Sequence, residues 1–253
     1  MKKPVFLTVF FTALVFFIAI DFKTRKPEKE SLPYFARFYD TKLSKRQFFD
    51  FMRPIIAEEN DHVLKQRKQF LELYQKWTSG ESLSTWDMRV FEHFAELYFV
   101  NPEEYDADAI WELLKQRIDI VPIELALAQS ANESAWGRSR FAMEGNAMFG
   151  QWTFSRKKTG MIPRKRVPDS GHTVAKFPSV RASIKSYIKN LNTHQAYVAF
   201  RVLRSTAREK GSELDGQTLA PGLINYSERR KAYVQEIQSI MKTNKPLMNL
   251  DLK

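Results

Sequence analysis

Residues 123–137 read Ile123-Glu-Leu-Ala-Leu-Ala-Gln-Ser-Ala-Asn-Glu-Ser-Ala-Trp-Gly137. Leu127 and Ala131 follow Ile123 at four-residue steps, and Leu125, Gln129 and Glu133 repeat that step on another face. Such spacing predicts a helix over 123–135. Its four alanines, small on every side, let neighbouring helices approach closely. Pro122 suits the first turn of this helix, and Gly137 suits its C-terminal stop. Glu133 therefore falls in the last turn of a tightly packed helix, with Trp136 nearby.

Outward from this element the chain alternates between helical stretches and breakers. Upstream, the pattern predicts a helix from Ser44 to Trp77, with Ser44 as its N-cap and a kink or break at Pro54. Glu58, Glu59 and Asp61 beside Lys65, Arg67 and Lys68 read as a solvated face. Further helices are expected over Trp86–Phe99, where Phe91, Phe94 and Leu97 share a face and Asn101-Pro102 ends the run, and over Asp106–Ile118. Gln151–Phe177 changes character: Gly160, Pro163, Pro168 and Gly171 punctuate short runs, which predicts a small hairpin or irregular lobe. Helices return over Ser179–Asn192, Ala196–Arg208 and Arg229–Lys242. The fold class is α+β, mainly helical, with a small β-lobe.

Composition narrows the chemistry. With 253 residues, 43% of them apolar and 20 Phe, 9 Tyr and 5 Trp, the chain can build a real core. It has no cysteine, which excludes disulfides, thiolate metal sites and a cysteine nucleophile. No GxGxxG or GxxxxGK[ST] is present, so no phosphate-cradling loop is legible. The four histidines (His62, His93, His172, His194) show no metal-ligand spacing, and neither metal nor cofactor is expected. His194 reads as a packing or groove residue.

Lys2 and Lys3 precede an uncharged, mostly apolar run from Pro4 to Ile20, which reads as an export signal, either an uncleaved anchor or a cleaved peptide. Export in the anchored case implies an inner-membrane protein facing the periplasm, and in the cleaved case a secreted one. The net charge of +11 is concentrated locally: ten Lys or Arg against one Asp between Gln151 and Lys189. Such a patch attracts polyanions. For an exported chain with no legible nucleic-acid module, cell-wall carboxylates or anionic lipid headgroups are expected there, not nucleic acid.

At the end of its helix Glu133 faces the negative pole of the dipole and apolar neighbours, and both favour the protonated carboxyl. A general acid for glycoside cleavage needs that property near neutral pH. The alternative is a surface carboxylate paired with Arg138 or Arg140.

Three blocks extend this reading. The first is Ala126-Leu-Ala-Gln-Ser-Ala-Asn-Glu133-Ser-Ala-Trp136-Gly137, followed by Ser139-Arg-Phe-Ala142 and Gly145-Asn146-Ala-Met-Phe149-Gly150. The second is Phe177-Pro-Ser-Val-Arg-Ala-Ser-Ile-Lys-Ser-Tyr187 with Asn190-Leu-Asn-Thr-His-Gln-Ala-Tyr197. The third is Tyr226-Ser227 with Tyr233. Together they resemble the glucosaminidase domain of bacterial cell-wall hydrolases, endo-β-N-acetylglucosaminidase-like enzymes of the lysozyme superfamily, and most closely the Bax-protein branch. The Tyr226–Tyr233 spacing is one residue longer than in the usual family element.

The resemblance implies a lysozyme-like domain that hydrolyses the β-1,4 bond after N-acetylglucosamine in peptidoglycan. It implies Glu133 and Tyr226 as catalytic residues, and Gln129, Trp136, Asn146, Phe149 and Tyr233 as substrate-binding residues. The expected organisation is 1–20 signal, 21–33 linker, 34–109 helical extension, 110–243 glucosaminidase-like domain and 244–253 tail. Asp169 and Glu144 are poor candidates for a second carboxylate, the latter being expected in an ion pair with Arg138 or Arg140. One protein acid with assistance from the sugar's 2-acetamido group is therefore expected. A non-catalytic glycan-binding scaffold and lytic transglycosylase-type cleavage are the alternatives.

Overall fold

The computed structural model describes residues 32–35, 40–153, 160–161 and 173–248. The expected N-terminal signal, most of the linker, Asp169 and six of the ten basic residues of the middle segment lie outside these residues. Among the described residues no helix is long and apolar enough to cross a membrane.

The first helix, α1 (Thr41–Thr78), runs for 38 residues and is capped by Asp40, whose Oδ1 accepts from the backbone N–H of Lys42 and Leu43. Ser44 lies inside it as a buried residue. The helix continues through Pro54, so of the kink or break expected there the break does not occur. Pro54 is exposed, while Met52, Ile55 and Ile56 lock the opposite side into the core. Next come α2 (Thr85–Leu97), opened by a Ser84–Asp87 capping box, and α3 (Ala107–Arg117), capped by Asp106.

The central helix is α4 (Ile123–Glu133), in which every residue from Leu125 to Ala131 is buried. A helix apolar all round must be enclosed, and its neighbours are α1, the short α8 (Gly216–Leu219) and α9 (Lys231–Asn244). A short α5 (Arg140–Gly145) leads to a three-stranded antiparallel sheet ordered β1-β3-β2, from β1 (Trp152–Thr153), β2 (Gly160–Met161) and β3 (Thr173–Ala175). Two long helices follow, α6 (Val180–Thr193) and α7 (Val198–Glu209).

Two apolar clusters form the interior. The larger joins Phe48, Phe49, Met52, Ile55 and Ile56 of α1 to α4, α6 and α9. The smaller joins Phe70 and Leu73 of α1 to α2 and α3. The first half of α1 is thus part of the same core as α4, although it falls in the expected extension. Leu32 and Phe35, at the edge of the expected linker, also pack on this core, and so do Leu247 and Met248 of the expected tail.

Where the two clusters meet, Asp119 is buried among arginines, with Arg208 at 2.9 Å, Arg67 at 3.5 Å and Arg204 at 3.9 Å. Arg204 also bonds the carbonyls of Asp119, Ile120 and Gln116, and Arg67 those of Lys115 and Ile118. Arg67 and Glu59 therefore leave the solvated face expected for them; Glu59 is buried and accepts from Arg181 at 3.1 Å. Glu58 remains exposed but binds the same guanidinium at 2.7 Å.

Candidate active site

Glu133 is the last residue of α4, and the chain beyond it turns sharply. Ala135, Trp136 and Gly137 all have positive φ, at 50°, 59° and 74°. For two non-glycine residues in succession this is strained backbone. It is held by surrounding bonds: Trp136 N–H donates to the Ala131 carbonyl at 2.8 Å, and Gly137 N–H to Ser134 Oγ at 2.7 Å. The helix thus ends at Ser134, with Gly137 as the third left-handed residue. A Cβ at Gly137 would lie 2.7 Å from the Phe35 ring, which packs beneath the turn.

The Glu133 carboxyl is partly buried in an aromatic enclosure. Tyr187, Tyr197, Tyr226 and Tyr233 all feel its charge, and burial foremost raises each phenol above its ordinary value, so they remain neutral. Tyr226 and Tyr233 stack at 5.4 Å, while Phe149 stacks on Tyr187 at 3.8 Å. Burial also raises the Glu133 carboxyl above the usual carboxylate range; hydrogen bonds from Tyr233 and Asn132 oppose this in part. Glu236 adds a small upward push and Arg229 a small downward one.

A hydrogen-bond chain supports this carboxyl from below. Tyr187 donates its hydroxyl proton to Gln129 Oε1 at 2.6 Å, and Gln129 Nε2 donates to the Tyr233 hydroxyl at 2.8 Å. Tyr233 in turn hydrogen-bonds Glu133. On the other side Gly150, at φ 60°, brings its backbone so close that a Cβ there would lie 3.0 Å from Glu133 Oε2. Glycine adopts that conformation without strain and permits that approach.

The expected site residues thus divide by position. Glu133 and Tyr226 come together, and Tyr226 is partly exposed, with its hydroxyl donating to the Phe149 carbonyl at 3.0 Å. Gln129, Phe149 and Tyr233, expected to touch substrate, are buried at the floor of the enclosure and shape it from behind. Asn146, also expected as a contact, is left-handed at φ 52° and caps α5; its Nδ2 donates to the Phe177 carbonyl at 3.0 Å, which ties the β-lobe to the helices. Trp136 is half-buried between the edges of Phe48 and Phe49 and borders a groove with Asn132 and α9.

Glu144 pairs with Arg140 at 3.4 Å, whereas Arg138 donates to Ser44 Oγ. His194 Nδ1 accepts from the Ala196 N–H, a local cap. The sequence reading overlooked Glu236, which shares a face of α9 with Tyr233 and is paired with Arg229 at 2.6 Å. Its three-residue offset from Tyr233 was the available signal. Among the described residues no group of three or more His, Cys, Asp or Glu is placed to hold a metal ion.

A profile of the family described as mannosyl-glycoprotein endo-beta-N-acetylglucosaminidase (Glucosaminidase) matches residues 108–246. Protein bax of Escherichia coli (strain K12) is 26% identical over 230 residues, which cover 90% of this chain and 80% of that one. No solved structure matches the chain significantly.

Proposed function

Given that the chain belongs to the glucosaminidase family, we propose that it is a peptidoglycan hydrolase that cleaves the β-1,4 bond after N-acetylglucosamine in cell-wall glycan, on a lysozyme-like arrangement of helices and β-lobe. The observation that carries the reading is Glu133: a carboxyl at the end of a buried helix, raised by burial and enclosed by neutral tyrosines. Burial biases such a group towards its protonated form, the form that can deliver a proton to a glycosidic oxygen.

In the proposed reaction Glu133 protonates the leaving oxygen as the glycosidic bond breaks. The 2-acetamido oxygen of the same sugar attacks the anomeric carbon and forms a cyclic oxazolinium ion. Water then opens that ring, losing a proton to the Glu133 carboxylate. Tyr226, neutral and donating its proton to Phe149, retains oxygen lone pairs for the developing positive charge. Substrate assistance suits the carboxylates on hand, since Glu144 is engaged by Arg140 and Glu236 by Arg229. The target lies outside the cytoplasm, in keeping with the export signal read at residues 1–20.

The test is digestion of purified sacculi by the full chain and by Glu133→Gln, with product ends identified by mass spectrometry. Fragments ending in reducing N-acetylglucosamine, absent with the variant, are expected. Anhydro-muramyl ends would place the chain with lytic transglycosylases. Equal binding without release by both proteins would make it a glycan-binding scaffold.

A further inference from the structure

Beside the Glu133 helix end lies a groove of 360 Å³ between α4, α9 and the first turn of α1. Asn132, Trp136, Ser239, Thr243 and Asn244 line it, together with Lys45. It adjoins the proposed catalytic carboxyl: Asn132 Nδ2 lies 3.5 Å from Glu133 Oε1, and Glu236, whose charge reaches Glu133, borders the same groove. Amides and hydroxyls around an aromatic ring make a lining suited to a polyol.

Lys45 is the unusual member. It is half-buried, with its Nζ 4.7 Å from the centre of the Trp136 ring. Among the described residues no carboxylate lies within ion-pair distance of it, in contrast to Lys76, which Asp87 holds at 3.1 Å. Glu236, the acid that borders the groove, is taken by Arg229 at 2.6 Å. The Trp136 ring beneath Lys45 is fixed by the edges of Phe48 and Phe49, at 5.8 and 5.3 Å, and by its left-handed backbone. The ammonium of this half-buried residue is thus held over a rigid ring and, among the described residues, without a carboxylate partner. That is a prepared position for an anion.

Lys45 also lies outside the family-matched residues 108–246, on a helix that the match does not include. We propose that this groove is a subsite for a carboxylate-bearing sugar unit of the glycan, with Lys45 reading the carboxylate. The proposal rests on the glycosidase reading and deepens it, giving the enzyme a preference for acidic over neutral N-acetylhexosamine polymers. The carboxylate is either that of the sugar's own lactyl ether or one on its attached peptide.

The test measures binding in a Glu133→Gln background, so that no glycan is cut. Three probes are used: intact sacculi, glycan strands stripped of peptide so that the lactyl carboxylate is free, and uncharged chitin oligosaccharides. Adding Lys45→Gln is expected to weaken binding to a carboxylated glycan about tenfold, the scale of one charge-assisted hydrogen bond. It should also flatten the salt dependence of that binding, and the preference over chitin oligosaccharides should fall by the same factor. Lys45→Arg should restore the preference. Loss on peptide-free strands would support the lactyl carboxylate; loss on intact sacculi alone would support the peptide.

Equal loss on chitin oligosaccharides, or no loss on either acidic glycan, would overturn the subsite and leave the glycosidase reading standing. Failure of the parent Glu133→Gln protein to bind any of the three would overturn both.

Discussion

The Tyr233 hydroxyl accepts from Gln129 Nε2 at 2.8 Å and hydrogen-bonds Glu133, so a buried amide 4 residues back on α4 orients the phenol that meets the carboxyl. Because Tyr187 fills the amide oxygen at 2.6 Å, neither end of Gln129 is free to turn. Gln129→Met keeps the volume and removes both bonds. It should destabilise the protein by roughly 1 to 3 kcal/mol, the cost of leaving the buried Tyr187 hydroxyl unpaired, since Tyr233 keeps its bond to Glu133. It should also move the alkaline limb of activity upward, since the Tyr233 bond holds the Glu133 carboxyl down. Chemical denaturation and a pH–rate profile measure the two effects separately.

The elevated Glu133 carboxyl fixes the sign of a stability change with pH. In the unfolded chain a glutamate titrates near about 4.3. Between that value and its higher folded value, the native state holds the proton more firmly than the unfolded state. This contribution therefore makes stability fall as pH rises through the window and is relieved below it. Glu133→Gln should be inactive, and its stability advantage over the parent should grow from pH 4 towards neutrality. Thermal melts across that range would show a flat difference if the carboxyl were not raised.

Gly150→Ala would place a methyl group 3.0 Å from Glu133 Oε2, on backbone at φ 60°. The backbone term alone is about 1 to 2 kcal/mol, which leaves a typical domain folded. The carboxyl, in contrast, must move. Activity on sacculi should drop several-fold, up to about tenfold, since the carboxyl shifts by a fraction of the roughly 1 Å misplacement that can cost about a hundredfold, with only a small shift in melting temperature.

Asp119 makes the opposite pH prediction. Burial pushes its carboxyl up, but the Arg208 hydrogen bonds and the Arg204 and Arg67 charges outweigh this and leave it below the ordinary value. Burial lowers the Arg204 guanidinium to about 10, which still leaves it charged at neutral pH. The depressed carboxylate contributes stability that is present above about pH 4 and lost as pH falls through its folded value. Asp119→Asn removes the counter-charge from the buried Arg204 and half-buried Arg67, as well as from the exposed Arg208, and should cost about 3 to 5 kcal/mol at neutral pH. The deficit should shrink in acid, which urea titrations at pH 7 and pH 3 would reveal.

Much of the secondary structure was legible locally. The helices around 107–117, 123–133 and 180–193 are announced by their periodicity and by Asp106, Pro122 and Ser179 at their starts, and that around 231–244 by its periodicity alone. Pro54 does not divide the helix because it lies on the side that meets water, and that side is decided by partners more than 60 residues away in sequence. Asp119 and its arginines left no local trace: Arg67 and Arg208 lie 52 and 89 residues from it.

At the site, the Glu133 position follows from the alanine-rich periodicity. The supporting role of Gln129, Phe149 and Tyr233 does not, because spacing along one helix cannot separate the open side of a cleft from its floor. The longer spacing from Tyr226 to Tyr233 includes Arg230 at φ 50°, and the two rings still stack.

The long helix α1 has a practical corollary for anyone dividing this chain. A fragment cut to residues 108–246 would discard Phe48, Phe49, Met52, Ile55 and Ile56, all seated in the core around α4. At about 1.5 to 3 kcal/mol for each buried side chain, the loss is of the order of a domain's entire stability. The stretch that defines kinship and the stretch that can fold are different lengths of this polypeptide, and only the longer one is a usable reagent.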